Sequence, residues 1–126
     1  MTPMPVTPST AFAANSLVTF SSGKLIPATS STAALDIIGV IPKAIASTDA
    51  DYASDRLVDI IVPVEKYTVW EGDVTSGLVA TDVGTEVDLT DASTVNRAAG
   101  SVDAVKVVRV LSTTKGLFYI KFNGAY

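Results

Sequence analysis

Carboxylates are the side chains with which this chain could do acid–base chemistry, since it has 13 Asp and Glu residues but no His and no Cys. Histidine is the commonest general base and metal ligand, and Cys supplies thiolate nucleophiles and zinc ligands. Two suitably spaced carboxyl groups suffice in glycosidases. No pair among Glu65, Glu71, Glu86 and the aspartates stands out, so we predict that the chain is not an enzyme.

The aspartates of one polar segment resemble part of a calcium-binding loop. Asp49, Asp51 and Asp55 occupy relative positions 1, 3 and 7. An EF-hand also needs Gly at position 6 and a bidentate Glu at position 12, where this chain has Ser54 and Ile60. We predict a solvated acidic loop without a metal, and a nonstandard calcium site is the alternative.

Binding of phosphate or nucleic acid has little support. The segment 72–77 has the glycine spacing of a phosphate loop, but Leu78 stands where the lysine is required. We interpret Gly72 and Asp73 as a turn. The net charge is −4 and the basic residues are scattered, so no cationic face is expected for a phosphate backbone. The sequence predicts neither a cofactor nor a nucleic-acid partner.

The N-terminal 14 residues differ in composition from the rest. Pro3, Pro5 and Pro8 exclude a helix and donate no backbone hydrogen bonds. We predict an extended arm over 1–14, followed by a single β domain over 15–126. The arm is either a frayed terminus or a partner-binding segment, and we expect it to add little to the core.

Beyond the arm, short apolar segments alternate with turn residues, which is typical of an all-β chain. We predict a small β-barrel or sandwich of short antiparallel strands, with the barrel preferred. Segment 91–101 is interpreted as a polar loop. The predicted strands are 17–20, 24–27, 37–41, 57–64, 67–70, 77–81, 86–89, 105–111 and 117–122.

Four local features refine this prediction. Ser21 to Gly23 predicts a tight hairpin, and residues 33–35 a single helical turn. Gly39, inside an apolar segment, indicates a bulge or a close backbone approach. Segment 57–64 is apolar on both faces, which predicts a central strand covered on both sides. Gly116 is predicted to be left-handed in the turn of the last hairpin.

The aromatic residues concentrate in two places, at Tyr67 and Trp70 and at Phe118, Tyr119 and Phe122. Core packing is the default interpretation, because large aromatic side chains bury much apolar area. An exposed Trp70 would instead be an interface anchor or a sugar-stacking platform.

A membrane-spanning helix is not expected. The most apolar region, 33–46, is interrupted by Asp36, Pro42 and Lys43. It is also shorter than the ~20 apolar residues that a spanning helix needs.

The segment LVTFSSGKLIPATSSTAALDIIGVIPKA, residues 17–44, resembles the opening of bacteriophage capsid cement or decoration proteins. In those families a hairpin precedes a stretch of the type AT…STAA…IIGV and a barrel follows. The closing hairpin and the stretch SGLVATDVGTEVDL also look like small virion structural proteins. The resemblance covers most of residues 17–122 and contains no catalytic motif.

This resemblance implies a structural virion protein that binds the outer surface of the major capsid protein lattice and stabilises the head. Such proteins bridge capsomers, often as trimers, so a homo-oligomer or symmetry-related copies are expected. The protein would be made in the host cytoplasm and reside on the outer capsid surface, without a cofactor. Repetition of a modest interface over a symmetric shell provides avidity.

The proline-rich arm suits docking, because proline reduces the entropy that an extended segment loses on binding. A tail, baseplate or fibre module is the first alternative. A carbohydrate-binding module is the second, and it requires exposed Trp70 and Tyr67 on one flat face. The candidate capsid-interface residues are Pro3, Pro5, Pro8, Phe12, Tyr67 and Trp70.

Overall fold

Ten short β-strands are the main elements of the described chain. The computed structural model describes residues 1–63, 68–75 and 77–120. Among them no helix has the length and apolar character needed to cross a membrane, since both helical elements are single 3₁₀ turns, Ala34–Asp36 and Ala80–Asp82. The strands are β1 Thr2–Val6, β2 Ser16–Ser21, β3 Lys24–Pro27, β4 Gly39–Ile41, β5 Arg56–Ile60, β6 Thr68–Val74, β7 Glu86–Leu89, β8 Thr94–Asn96, β9 Val105–Ser112 and β10 Lys115–Ile120. The all-β prediction is confirmed.

The first five strands form a curled sheet in the order β4-β2-β3-β1-β5. The predicted hairpin joins β2 to β3, and Ser22 and Gly23 both have positive φ, 52° and 80°. Two left-handed residues give a turn whose twist matches the flanking strands. The outermost strands meet at one point, where the N–H groups of Val40 and Ile61 each donate to the other's carbonyl at 2.9 Å.

Gly39 allows these two outermost strands to come together. A Cβ at this position would collide with the carbonyl oxygen of Ile61 and lie 3.0 Å from the Cγ2 of Ile60. Only a residue without a side chain fits there. The predicted close backbone approach at Gly39 is therefore confirmed.

Strand β1 lies inside the curled sheet, between β3 and β5. It pairs antiparallel with β5 along its whole length, but with β3 only where Val6 meets Leu25. Successive backbone nitrogens of a strand point to opposite neighbours. Those of Pro3 and Pro5, which carry no hydrogen to donate, point away from β5, towards a region where β3 forms no pairs with β1. The extended conformation predicted for residues 1–14 is present over β1, whereas Ser9 beyond it has a positive φ of 55°. The prolines of β1 are compatible with a ladder on one side.

The expectation that residues 1–14 add little to the core is wrong. Val6 and Phe12 are only 1% and 3% exposed and belong to the apolar cluster inside the curled sheet. Phe12 also exchanges two backbone hydrogen bonds with Ile45, at 3.0 and 2.9 Å. The sparse apolar residues of a proline-rich segment can still be buried when that segment is one strand of a sheet.

Strand β5 corrects the prediction of a central strand covered on both faces. It lies at the end of the strand order, and its Leu57 is 63% exposed; Ile61, just beyond the strand, is 42% exposed. Val58 and Ile60 of the same strand contribute to the core. One apolar face of this strand is therefore covered and the other is open to solvent.

The remaining five strands close into a barrel in the order β10-β6-β8-β7-β9. All neighbours are antiparallel except β6 and β8. Strand β8 lies in the predicted polar loop, and its one apolar residue, Val95, is fully buried in the barrel core. Residues 80–82 form a 3₁₀ turn instead of a strand, and Gly72 and Asp73 continue β6 instead of turning. Three local predictions are thus corrected.

The last hairpin turns at Thr113 and Thr114, since β9 ends at Ser112 and β10 begins at Lys115. Gly116 lies within β10 and is not among the glycines with positive φ. The predicted left-handed conformation is therefore wrong, and this glycine has another role.

Gly116 and Gly72 make room for the aromatic side chains of the barrel core. They are cross-strand partners on β10 and β6. A Cβ on Gly72 would lie 2.5 Å from the indole of Trp70, and a Cβ on Gly116 would lie 2.8 Å from Leu78 Cδ2 and 3.1 Å from Phe118 Cζ. The Trp70 and Phe118 rings pack with centroids 5.9 Å apart and planes tilted by 44°, a favourable arrangement for aromatic pairs.

The curled sheet and the barrel share one apolar cluster. Leu17, Ala28 and Ile37 of the N-terminal half pack with the barrel residues. Trp70 Nε1 donates to the carbonyl of Asn15 at 2.8 Å, and the N–H of Leu17 donates to the carbonyl of Ala92 at 2.8 Å. Apolar packing and hydrogen bonds therefore fix the two sheets against each other.

Deletion of residues 1–14 should abolish cooperative folding or nearly so. Burying Val6 and Phe12 contributes about 1.5–3 kcal/mol each, and the loss of β1 also uncovers β3 and β5. This approaches the 5–15 kcal/mol that stabilises a typical domain. Urea unfolding followed by circular dichroism measures the effect. A cooperative transition within about 1 kcal/mol of the full chain would contradict the structural role of β1.

Gly116→Ala should lower the free energy of unfolding by about 1–3 kcal/mol, because the added Cβ overpacks the barrel core. Gly100→Ala is the matched control, since its Cβ would meet no atom closer than 3.5 Å. We expect the control to change stability by no more than about 0.5 kcal/mol. Equal stability of the two variants in thermal and urea melts would show that the space at Gly116 is not required.

Candidate functional site

The predicted interface residues lie in different environments. Phe12 and Trp70 are buried, and Tyr67 lies outside the described residues. Pro3 is exposed, whereas Pro5 and Pro8 are partly buried. The five described residues therefore form no single surface, and the three prolines are the ones among these five that a partner can reach.

Trp70 belongs to the barrel core and is only 5% exposed. Its ring packs on Phe118, and its N–H is satisfied by the carbonyl of Asn15. A buried indole with its one donor engaged offers nothing to a sugar or to a partner surface. Trp70 is therefore a core residue, as the default interpretation predicts. Trp70 and Phe12 are both too buried to contact a partner.

The outward side of strands β1 and β5 carries a strip of exposed apolar side chains. In the antiparallel register Pro5 is opposite Leu57 and Pro3 is opposite Asp59, and directly opposed residues point to the same face. Ile61 continues the strip beyond β5. We call Pro3, Pro5, Leu57, Asp59 and Ile61 the β1–β5 outer face. This face can bind another apolar surface, but a single carboxylate gives it no evident reaction chemistry.

Leu57 and Ile61 are the residues of this face that sequence reasoning missed. Because their neighbours Val58 and Ile60 are also apolar, the sequence pattern predicts a strand covered on both faces. Asp59 lies between them on the same side of β5 and was the available sign that this side meets solvent, because an unpaired charge is costly to bury.

The aspartates of the calcium-like segment make separate contacts. Asp49 Oδ2 accepts the N–H of Ala46 at 2.9 Å, Asp51 pairs with Arg56 at 3.2 Å, and Asp55 pairs with Lys24 at 2.6 Å. No group of three metal-ligating side chains converges within the described ranges. Each carboxylate has its own partner here, so the geometry gives the nonstandard calcium site no support.

Asp88 is a buried carboxylate that holds a loop. It is 6% exposed and accepts the backbone N–H groups of Ser101, Val102 and Asp103, each at 2.9 Å. Three donors satisfy a buried carboxylate and fix the loop that leads into β9. Its lone pairs are directed at the protein's own backbone, which explains its burial without a catalytic role.

Asp82 and Arg97 form a two-point ion pair between the 3₁₀ turn 80–82 and the end of β8. Arg97 Nε donates to Asp82 Oδ2 at 2.9 Å, and Nη2 donates to Oδ1 at 3.1 Å. Asp82 also accepts the N–H of Val79 at 2.9 Å. The hydrogen bonds from Arg97, and next that from Val79, hold the pKa of Asp82 below its usual value. This pair fixes the connection between β6 and β7.

Comparisons with known proteins assign no function to this chain. No model of a protein family matches the chain, and no curated protein or solved structure matches it either. A functional proposal must therefore rest on the described surfaces and on the resemblance of residues 17–44.

Asp82→Asn should lower the melting temperature at pH 7, and the difference from the parent should shrink as the pH falls. The pKa of Asp82 is lowered in the folded state, so its ion pair stabilises fully above the unfolded pKa of about 3.9 and is lost as pH falls through the folded value. Thermal melts between pH 7 and about 2 test this. Asp36→Asn, on an exposed carboxylate, is the control. A constant difference from the parent at every pH would contradict it.

Proposed function

We propose that this chain is a structural virion protein that binds the outer surface of a bacteriophage's major capsid protein lattice and stabilises the head. The resemblance of residues 17–44 to capsid decoration proteins supports the class of protein. The main structural support is the exposure of apolar residues on the β1–β5 outer face, where Leu57 is 63% exposed. We propose that this face contacts the capsid. An apolar side chain this exposed on an ordered strand is available to be covered by a partner.

The β1–β5 outer face is suited to docking because it is already ordered. Strand β1 is hydrogen-bonded to β5 over its length, and Pro3 and Pro5 have fixed φ angles. Little conformational entropy therefore remains to be lost when a capsid surface covers the face. Covering the exposed 63% of Leu57 would contribute about 1–2 kcal/mol per copy.

A modest contact is sufficient on a symmetric shell. If one protein particle engages several capsid subunits, each additional contact forms at a high effective concentration. A small face on each copy can then give firm attachment. This is the arrangement that a head-stabilising protein requires, since it must connect neighbouring capsid subunits.

Catalysis is not part of the proposal. Asp82 and Asp88 each accept three hydrogen bonds, and both sets of hydrogen bonds position loops. We expect no enzymatic activity and no cofactor requirement. Partners other than the capsid lattice and further copies of the chain, such as nucleic acid or a membrane, are not proposed.

A tail, baseplate or fibre module is the remaining alternative within a virion, because the same β fold could fill it. Copy number separates the two roles. A cryo-EM reconstruction of the native particle should show tens to hundreds of copies for a capsid role and a handful for a tail role. The carbohydrate-binding alternative loses its basis at Trp70, which is buried.

Leu57→Asp should weaken attachment to purified shells that lack this protein by at least about tenfold, equivalent to ~1.4 kcal/mol. Val83→Asp is the matched control, since Val83 is 49% exposed and lies in the connection between β6 and β7 instead. Both substitutions are at exposed positions, so both variants should melt close to the parent. Co-sedimentation with expanded shells over a range of protein concentrations measures the affinity.

The outcomes test the capsid role and the β1–β5 outer face separately. If only Leu57→Asp binds more weakly, both the capsid role and this face are supported. Equal binding by all three proteins would place the contact elsewhere and remove the β1–β5 outer face from the proposal. Failure of the parent protein to bind any shell would sink the capsid role itself.

A further inference from the structure

The outside of the barrel presents a second surface, made by three adjacent strands. Strand β10 lies between β9 and β6. Leu117 on β10 is opposite Arg109 on β9 and opposite Glu71 on β6. In the next row, Tyr119 is opposite Lys106 and Val69. These residues are exposed or partly exposed, whereas Gly116, Phe118 and Ile120 between them point inwards.

Apart from Lys115 at the start of β10, the charges on this barrel face are segregated by strand. The cations Lys106 and Arg109 lie on β9, and the anions Glu71 and Asp73 lie on β6. Leu117 and Tyr119 on β10 form an apolar row between them. Asp73 already pairs with Lys115 at 2.8 Å, while Arg109 makes no salt bridge with any residue in 1–63, 68–75 or 77–120.

This arrangement is complementary to itself. A two-fold axis parallel to β10 would place β10 of one copy against β10 of another, and β9 of each copy against β6 of the other. Arg109 of each copy then faces Glu71 of the second copy, and Leu117 packs against Leu117. A two-fold interface uses the same patch on both copies, so both charge contacts form at once.

We propose that the barrel face of β9, β10 and β6 is a two-fold interface with a second copy of this chain. Charge complementarity selects this occupant, because a uniformly acidic or basic partner would meet a like charge on one of the two outer strands. The inference concerns the purified protein and does not rest on the proposed capsid role.

The size of the face sets the expected strength. Three short strands offer fewer side chains than the 20–30 residues per partner of a standard interface. The dimer should therefore be weak in solution and depend on protein concentration. Because its outer contacts are charged and solvent-accessible, dissociation should increase with salt.

A charge-swap experiment tests the pairing of Arg109 with Glu71. Arg109→Glu and Glu71→Arg should each raise the dimer dissociation constant at least about tenfold, by placing like charges in contact. The double variant exchanges the two charges and should return to within about threefold of the parent. Lys43→Glu, a charge reversal at an exposed position between β4 and β5 and outside the barrel strands, should leave dimerisation unchanged.

Sedimentation equilibrium at low and high salt provides the readout, with protein up to about 1 mM, the weak end of measurable affinities. Thermal melts check that every variant is folded. Recovery of dimerisation in the double variant supports the interface, because misfolding of the single variants would not be reversed by combining the two substitutions.

Three results would overturn it. The parent protein could remain monomeric at the highest concentration in low salt. The dimer could persist unchanged in both single variants. A monomeric parent whose Arg109→Glu variant binds shells more weakly would show that the capsid occupies the barrel face instead of a second copy.

Discussion

The indole of Trp70 connects the two sheets of this protein. It lies over Gly72 in its own strand, packs on Phe118 of β10 and donates to the Asn15 carbonyl just before β2. A side chain of this size fits in so small a barrel because Gly72 and Gly116 leave the space empty. The position of the curled sheet relative to the barrel therefore depends on the absence of two β-carbons as much as on one large ring.

The N-terminal strand imposes a second constraint, and it changes how the proline-rich segment should be understood. Val6 and Phe12 fix β1 in the sheet, while Pro3 and Pro5 keep their unfilled donor positions on the side without partners. The same alternation that buries one side of β1 leaves its prolines outside, beside Leu57. The proposed docking surface thus shares a strand with a buried core residue, Val6.

Local turn chemistry was predictable from the sequence, whereas long-range pairing was not. Ser22 and Gly23 indicated their hairpin because two consecutive left-handed residues are needed there, and Gly39 indicated a close approach because it interrupts an apolar strand. Gly116 was misassigned, since a glycine required for space looks the same in sequence as one required for positive φ. The pairing of β1 with β5 spans some fifty positions and leaves no local pattern. Of the candidate interface residues, the prolines remained at or near the surface, and the aromatic residues of the described chain did not.

The two surfaces lie on different sheets, so one copy could use both at once. A copy bound to the shell through the β1–β5 outer face would still present β9, β10 and β6 to a neighbour. Two copies joined at the barrel face would then carry two docking faces, and the second would bind at the effective concentration set by the first. Because the sheets share one core, the geometry between the faces is rigid, and such avidity requires that shell sites match it. A weak dimer and a modest docking face would then give attachment stronger than either contact alone.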